Sequence, residues 1–509
     1  MKNIYILIWG LFFFGNGFAQ SGQLDSTFGG NGLVSTPVAL TGYSYARNVI
    51  PLSSGGYLAT GYGFDGTSYA MTLIRYLNDG TQDALFGTFG KVTLSYNGLS
   101  TYGYNSTLQP DGKILVCGDY FDGISYTFCV ARFLDNGSPD SSFGSNGIAT
   151  FALGSGTHGN IGYSVGLQSN GKIIVSGGNY NGANYDYAAI RFKDNGTIDS
   201  SFGTNGATTI AVGTGNDNCY SMVIQDDDKI VLCGDYQNGS NYIFSIVRLN
   251  SNGSIDTNFG SNGISIQAVG SVDDDYGYTV LMQGNKILFG GTSKNSNGYD
   301  FTLGRLDSLG NLDSGFGSSG FAYADFSSSH PDDYGRSAFL QSDGKILLAG
   351  KSQVIGSCAA LARFESNGLP DVSFGTNGMA YVQLASTAHE IYSAAMDVND
   401  KIVISGHLST GSPDNFILAR FHSGINSFIV VPQSEKSFSV FPNPSCNKVN
   451  IRISEPSLFG EFISLYNSDG KLIRSFIAGI DYNEISIADL PAGIYYLISG
   501  KQKIKLVKE

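Results

Sequence analysis

Residues 138–147, SPDSSFGSNG, return almost unchanged as TIDSSFGTNG at 197–206 and SIDTNFGSNG at 254–263. An earlier copy, LDSTFGGNG, occupies residues 24–32. The Phe of this turn falls at Phe28, Phe86, Phe143, Phe202, Phe259, Phe316 and Phe374, at intervals of 57 to 59 residues. Spacing this regular marks a repeat architecture. The third unit shows the internal plan: NGIATFAL, GYSVGLQ, the turn SNGK, IIVSGGNY, NYDYAAIRF and KDNG, over residues 146–196. These are four short segments rich in apolar and β-branched residues, separated by turns. Four strands per unit and seven units describe an all-β chain, a seven-bladed β-propeller of four-stranded blades.

The turns carry their own chemistry. PDGK at 110–113, SNGK at 169–172 and SDGK at 342–345 put Asp-Gly or Asn-Gly between two strands. Those pairs accept the positive φ that a tight hairpin requires. The repeated Asp25, Asp83, Asp140, Asp199, Asp256, Asp313 and Asp371 read as Asx-turn acceptors before Phe-Gly. The repeated Arg75, Arg132, Arg191, Arg248, Arg305, Arg363 and Arg420 read as partners for acids between blades. A residue present in every blade serves the fold.

The pattern of Asp-x-x-Phe-Gly, Gly-Lys-Ile, Arg-Phe and Asn-Gly marks resembles the delta-60 repeat, a family of bacterial β-propeller repeats of undefined function. The resemblance spans residues 24 to about 422. It departs at Gly55-Gly56-Tyr57, at DDDK, QGNK and VNDK in units four, five and seven, and at Thr88-Phe89, where Asn is usual. With strands running outward from the channel, the first copy has no inner strands of its own. Residues 31–36 are therefore expected to supply the outer strand of the seventh blade and close the ring.

The ends of the chain read differently. MKNIYILIWGLFFFGNGFAQ has a basic start, an apolar run and small residues at Gly17 and Ala19, the pattern of a cleaved signal peptide over residues 1–19. The propeller is assigned to residues 20–425 and a linker to 426–437. Residues 438–509 hold strand segments around an Asp-Gly hairpin, which indicate a small C-terminal β-sandwich. FPNP with Pro442, Asn443 and Pro444, then Gly470-Lys471, then Pro491 and Gly493, resemble the sorting domain of the bacterial type IX secretion system. That resemblance implies the secretion machinery as a partner. It also implies periplasmic export with signal cleavage, and a secreted or outer-surface location. No later segment is long and apolar enough for a membrane-spanning helix.

The net charge of −13 argues against nucleic acid. Residues 438–509 carry 8 basic and 7 acidic residues and residues 21–437 carry 20 and 35, so the acidity belongs to the propeller. The six cysteines have neither metal-knuckle nor disulfide-framework spacing and read as small buried thiols, with Cys117 and Cys129 placed to face each other across a hairpin.

Specificity is expected where the units differ, in loops such as GSGTHGNIG, GTGNDNC, GSVDDDYG and SSSHPDDYG. Inner strands begin with Tyr45, Tyr104, Tyr163, Tyr220, Tyr278 and Tyr392, and the sixth with Arg336. One reading packs each Tyr between blades; the other makes a binding ring at the channel mouth, with Arg336 as an anion contact. Acids gather in the same loops. Asp273, Asp274, Asp275, Asp332 and Asp333 read as a solvated acidic rim or, more sharply, as Ca²⁺ ligands, without EF-hand spacing. The five His, at 158, 330, 389, 407 and 422, show no metal-ligand spacing, and no nucleophile elbow or catalytic carboxylate pair stands out. No cofactor and no catalytic residue is assigned. The sequence supports a binding module for polysaccharide or protein, more readily than an enzyme. The alternative is a carbohydrate-active or other hydrolytic enzyme with its site at the channel mouth.

Overall fold

The computed structural model describes residues 21–38, 42–154, 159–269, 274–327, 332–385, 389–409, 413–424, 438–441, 445, 447–453, 462–467, 471–477, 482–499 and 502–508. The chain divides into two compact units, Met1–Ile425 and Asn426–Glu509. Every regular element among the described residues is a β-strand, and none of their helices could cross a membrane because there are none.

The first unit holds seven four-stranded antiparallel sheets. Six are continuous in sequence, over residues 44–94, 101–151, 160–210, 217–267, 275–324 and 333–382. The seventh takes three strands from residues 389–422 and its fourth from Leu33–Pro37. That N-terminal strand pairs with Asn415–His422, from Leu33 opposite Ala419 to Pro37 opposite Asn415. The ring therefore closes by hydrogen bonds between its two ends, as expected. Successive sheets pack face to face through apolar clusters, such as Phe128, Val130 and Phe143 of the second blade on Val175 and Ile190 of the third.

The repeated turn is a tile that joins blades. Each Asp accepts, on one oxygen, the backbone N–H two residues on, as Asp140 does from Ser142 at 3.1 Å. On the other oxygen it takes the Nε–H of the blade's Arg, at 2.7–3.0 Å in all seven. The same guanidinium lies over the following Phe ring, 4.5–4.9 Å from its centroid. Its Nη1 donates to a backbone carbonyl of the next blade, for example Arg191 to Ser251 at 2.6 Å and Arg248 to Ser308 at 2.6 Å. Each Arg thus pairs with the acid of its own blade and reaches the next blade through a backbone carbonyl. Arg75 and Arg132 also pair with an acid there, Asp135 and Asp194, at 3.2 and 3.1 Å, so the pairing expected between blades is seen at these two. At the ring closure Arg420 binds Asp25 at 3.0 Å and the Asn78 carbonyl at 2.5 Å. That tile ties the N-terminal strand, blade seven and blade one together.

Cys117, Cys129, Cys219, Cys233 and Cys358 are buried free thiols, and Cys446 lies outside the described residues. Cys117 stands opposite Val130 while Cys129 stands opposite Gly118, so the two are offset across the hairpin and do not face each other.

The second unit has a three-stranded sheet, built from Phe438–Phe441, Lys448–Ile453 and Tyr482–Ser486. Its four-stranded sheet comprises Phe462–Asn467, Leu472–Ile477, Gly493–Ser499 and Gln502–Lys508. Val449, Ile451, Leu465, Leu497 and Leu506 form its core. Lys471 donates its N–H to Asn467 in the hairpin at 2.8 Å, and the Pro491 carbonyl accepts the Tyr495 hydroxyl at 2.9 Å. Gly493 opens a strand. Pro442, Asn443, Pro444 and Gly470 lie outside the described residues, as do the signal segment and the linker.

Candidate functional site: the channel collar and the tyrosine face

Each innermost strand carries one extra residue that its neighbour does not match. The register skips Arg47, Tyr104, Tyr163, Tyr220, Tyr278, Arg336 and Tyr392. A β-bulge re-aims the side chain it inserts, and these seven line one central cavity of about 480 Å³. The collar is therefore five tyrosines and two arginines. This differs from the sequence reading in blade one. Tyr45 sits two residues before the bulge, and Arg47 holds the channel position. Tyr45 instead packs on His407 and Tyr62, with ring centroids 4.6 and 5.1 Å away.

The bulge has a partner that sequence reading missed. The residue before each bulge faces a glycine of the second strand: Gly61, Gly118, Gly177, Gly234, Gly291, Gly350 or Gly406. A Cβ at any of them would lie 1.7–2.0 Å from a carbonyl oxygen of the inner strand. Glycine is thus the residue that lets the bulged strand approach. The signal was present as TGY, CGD, SGG, CGD, GGT, AGK and SGH at one place in each unit.

The collar tyrosines pack on one another. Tyr104–Tyr163, Tyr163–Tyr220 and Tyr220–Tyr278 have centroids 5.3, 5.1 and 5.1 Å apart with tilted planes. Arg47 lies 4.2 Å over Tyr392, and Arg336 4.0 Å over Tyr278. Burial pushes the phenols of Tyr104, Tyr163, Tyr220, Tyr278 and Tyr392 upward, so they stay protonated at neutral pH. The next residue along the strand staples blades together. Ser221, Thr279, Ser337 and Ser393 accept the N–H of Val280, Ala338, Ala394 and Val49 at 3.1–3.4 Å. The rings thus pack on one another from blade to blade and also line the cavity.

A second aromatic set surrounds the mouth. The first or second residue of five third strands is a tyrosine, Tyr69, Tyr126, Tyr185, Tyr242 or Tyr299, a repeat the sequence reading passed over. Three of them meet tyrosines two residues before the next blade's bulge. Tyr69–Tyr102, Tyr242–Tyr276 and Tyr299–Tyr334 have centroids 5.2, 5.4 and 5.4 Å apart. Because antiparallel neighbours share an end, the starts of first and third strands lie on one face. This is the loop-rich face. Tyr43 and Tyr126 there are 54% and 36% exposed.

The acids read as cation ligands also make hydrogen bonds within the fold. Asp275 and Asp333 are buried at the starts of inner strands and accept the N–H of Val269 and Phe326 at 3.0 and 2.9 Å. Asp217 does the same with Val212 at 2.7 Å. Asp274 and Asp332 accept the N–H of Tyr242 and Tyr299 at 3.1 and 3.2 Å, pinning the start of each third strand to the next blade. These four acids belong to two separate blades and their bonds shape loops, so the structure does not gather them into one group; Asp273 lies outside the described residues. Asp300, Asp325 and Asp333 each bring a carboxylate oxygen within 4.8 Å of the others.

Symmetry breaks most on blades six and seven. Lys351 pairs with Glu390. His407 Nδ1 is 3.3 Å from the Tyr392 hydroxyl and its Nε2 3.9 Å from Asp414. Burial pulls the His407 pKa down. Lys351, His389, Glu390 and His407 line a smaller cavity of about 330 Å³. His158 and His330 lie outside the described residues, and His422 sits beside Lys401 at 2.8 Å, away from this group.

Four segments, residues 109–143, 168–202, 225–259 and 341–374, match a family described as "Domain of unknown function (DUF5122) beta-propeller". Residues 439–509 match the "Secretion system C-terminal sorting domain". The chain carries four of these β-propeller repeats and a secretion sorting tail. The tail implies a link to type IX secretion and a secreted or cell-surface location. No curated protein matches the sequence. Similar solved structures include the β-propeller domain of the trilobed protease from Pyrococcus furiosus, at 12% identity, covering 74% of this chain and 95% of its own, with a TM-score of 0.36. Polysaccharide lyase Uly1 is 11% identical over 74% of this chain and 90% of its own, with a TM-score of 0.42. A protein of unknown function from Bacteroides caccae is 12% identical over 54% and 85%, with a TM-score of 0.29.

Proposed function

We propose that this is a secreted or surface-displayed binding module whose ligand is a polysaccharide held on the loop-rich face. In this reading residues 1–19 are the cleaved signal, 20–425 the binding propeller and 438–509 the domain that engages the type IX machinery. The carrying observation is the tyrosine pavement around the channel mouth, above all Tyr43, Tyr69, Tyr102 and Tyr126 on blades one and two. Tyrosine gives a rigid apolar plate with a polar edge, which suits the C–H faces and hydroxyls of sugar rings. The opposite face carries the Asp–Arg–Phe tiles.

The test is affinity electrophoresis of the purified protein in gels containing neutral and acidic polysaccharides. Retardation by at least one polysaccharide is expected. Loss of one well-buried ring contact is worth about 1.5–3 kcal/mol, so Tyr126→Ala combined with Tyr69→Ala should weaken retardation about tenfold or more. Unchanged retardation in the double variant removes the tyrosine face from the account.

A carbohydrate-active enzyme is the second reading, favoured by the His407–Tyr392 contact beside the Lys351–Glu390 pair. It requires sustained turnover of a polysaccharide that His407→Ala abolishes.

A further inference from the structure

We propose that the channel collar is an anion site, formed by Arg47 and Arg336 on either side of Tyr392. It would take the oxyanion group of an acidic glycan: a uronate carboxylate or a sulfate ester. The proposal deepens the binding reading by giving its ligand a charge.

The argument begins with charge that has no partner. A guanidinium carries its charge at any ordinary pH and presents five N–H donors. Arg47 makes one hydrogen bond, to the Tyr62 hydroxyl at 3.2 Å, and its buried Nε is unsatisfied. Arg336 lies on Tyr278, and its Nε too is buried and unsatisfied. Among the described residues neither has a carboxylate within 4 Å. The seven tile arginines of the same repeats each have one. A partly buried cation without a counter-charge is costly, and here two of them share one cavity.

The acids around the channel do not supply the missing charge. Asp119 is buried, with Tyr104 and Arg47 as its nearest electrostatic neighbours. Asp235 is buried and takes the Asn218 amide at 2.9 Å. Burial pushes both carboxyls up to about 8, so both are largely neutral at pH 7. Glu390 is paired with Lys351, and Asp414 lies by His407. One arc of the collar, from blade six through blade seven to blade one, is therefore basic, while the arc from Tyr104 to Tyr278 is phenolic. A planar fork facing a cavity with hydroxyl edges opposite matches a carboxylate or sulfate. The propeller is acidic overall, so this is a local inversion of its charge.

The test titrates sodium glucuronate and sodium sulfate into the full chain at low ionic strength, by calorimetry and thermal unfolding. Sodium chloride serves as the ionic-strength control. The variants are Arg47→Tyr and Arg336→Tyr, which install the residue that five blades already carry there and keep the collar filled. Circular dichroism confirms their fold. A saturable response beyond that of chloride is expected. A charge-assisted hydrogen bond contributes enough that each variant should lose about tenfold or more in affinity. The preferred anion separates carboxylate from sulfate. No saturable response to either anion, or a response in both variants equal to that of the unsubstituted protein, overturns the site. Neutral-polysaccharide retardation reports separately on the tyrosine face: its presence without an anion response removes only the collar, and its absence with an anion response removes only the tyrosines.

Discussion

Gly177 and Gly178 are neighbours in one strand, and replacing each by Ala should give opposite results. A Cβ on Gly177 would lie 1.8 Å from the Ile161 carbonyl oxygen, 2.9 Å from its carbon and 3.1 Å from the Tyr163 nitrogen. All three belong to the backbone of the bulged strand. A normal contact begins at about 3 Å, so the two strands must part by roughly 1.2 Å. Overpacking of this kind costs about 1–3 kcal/mol, and each buried backbone hydrogen bond that opens costs about 1–3 kcal/mol more. Gly177→Ala should therefore destabilise the protein by about 3 kcal/mol or more and displace Tyr163 from the collar. A Cβ on Gly178 meets only the Tyr185 ring, first at 3.3 Å. That ring can give, and Ala at a compatible site gains about 0.4–1 kcal/mol from the unfolded chain. Gly178→Ala should stay within about 1 kcal/mol of the parent. Urea unfolding followed by tyrosine fluorescence measures both, since the one Trp in the sequence is Trp9. Equal effects would refute the claim that the bulge, and the glycine facing it, set the collar.

Phe89 occupies a left-handed position, φ 51°, that Asn146, Asn205, Asn262 and Asn377 fill in other units, and it is 81% exposed. Phe89→Asn should raise stability by about 1 kcal/mol, because Asn tolerates that conformation and little burial is lost; a lower melting temperature would contradict this. In acid the tiles should open. Burial opposes ionisation of Asp25, but the Thr27 hydrogen bonds and the charges of Arg420 and Lys401 outweigh it and hold the pKa at about 2. Its contribution is complete above pH about 4, the unfolded value, and is lost as pH falls through about 2. Asp25→Asn should flatten that limb of a stability–pH curve. Asp119 acts in the other direction. With its folded pKa up at about 8, the unfolded chain releases a proton that the folded chain keeps, so stability falls as pH rises from about 4 to about 8. Asp119→Asn should reduce that slope, and an unaltered slope would place the titration elsewhere.

The blade count, the Asx role of the repeated Asp and the ring closure were all legible in the sequence, because each is written as a local pattern at a fixed period. The collar was legible only in part. Aligning the units by the letter Tyr put Tyr45 in the ring. The bulge that selects the channel residue is a mismatch between two strands and has no signature in one of them. Its trace lay in the second strand, in the glycine that recurs from Gly61 to Gly406. The adjacent acids divide for a related reason. Asp274 and Asp275, like Asp332 and Asp333, are adjacent in sequence, yet successive residues of a strand point to opposite sides. One carboxylate of each pair turns to the previous blade's third strand and the other into its own loop.

The account holds that the seven copies build the scaffold and that binding occupies the face where they differ. Hydroxyl-radical footprinting with a retained polysaccharide tests this most directly. Protection is predicted at Tyr43, Tyr69, Tyr102 and Tyr126 and along the loops of that face, with Phe89 and Leu85 on the tile face unprotected. Protection confined to the tile face would contradict it.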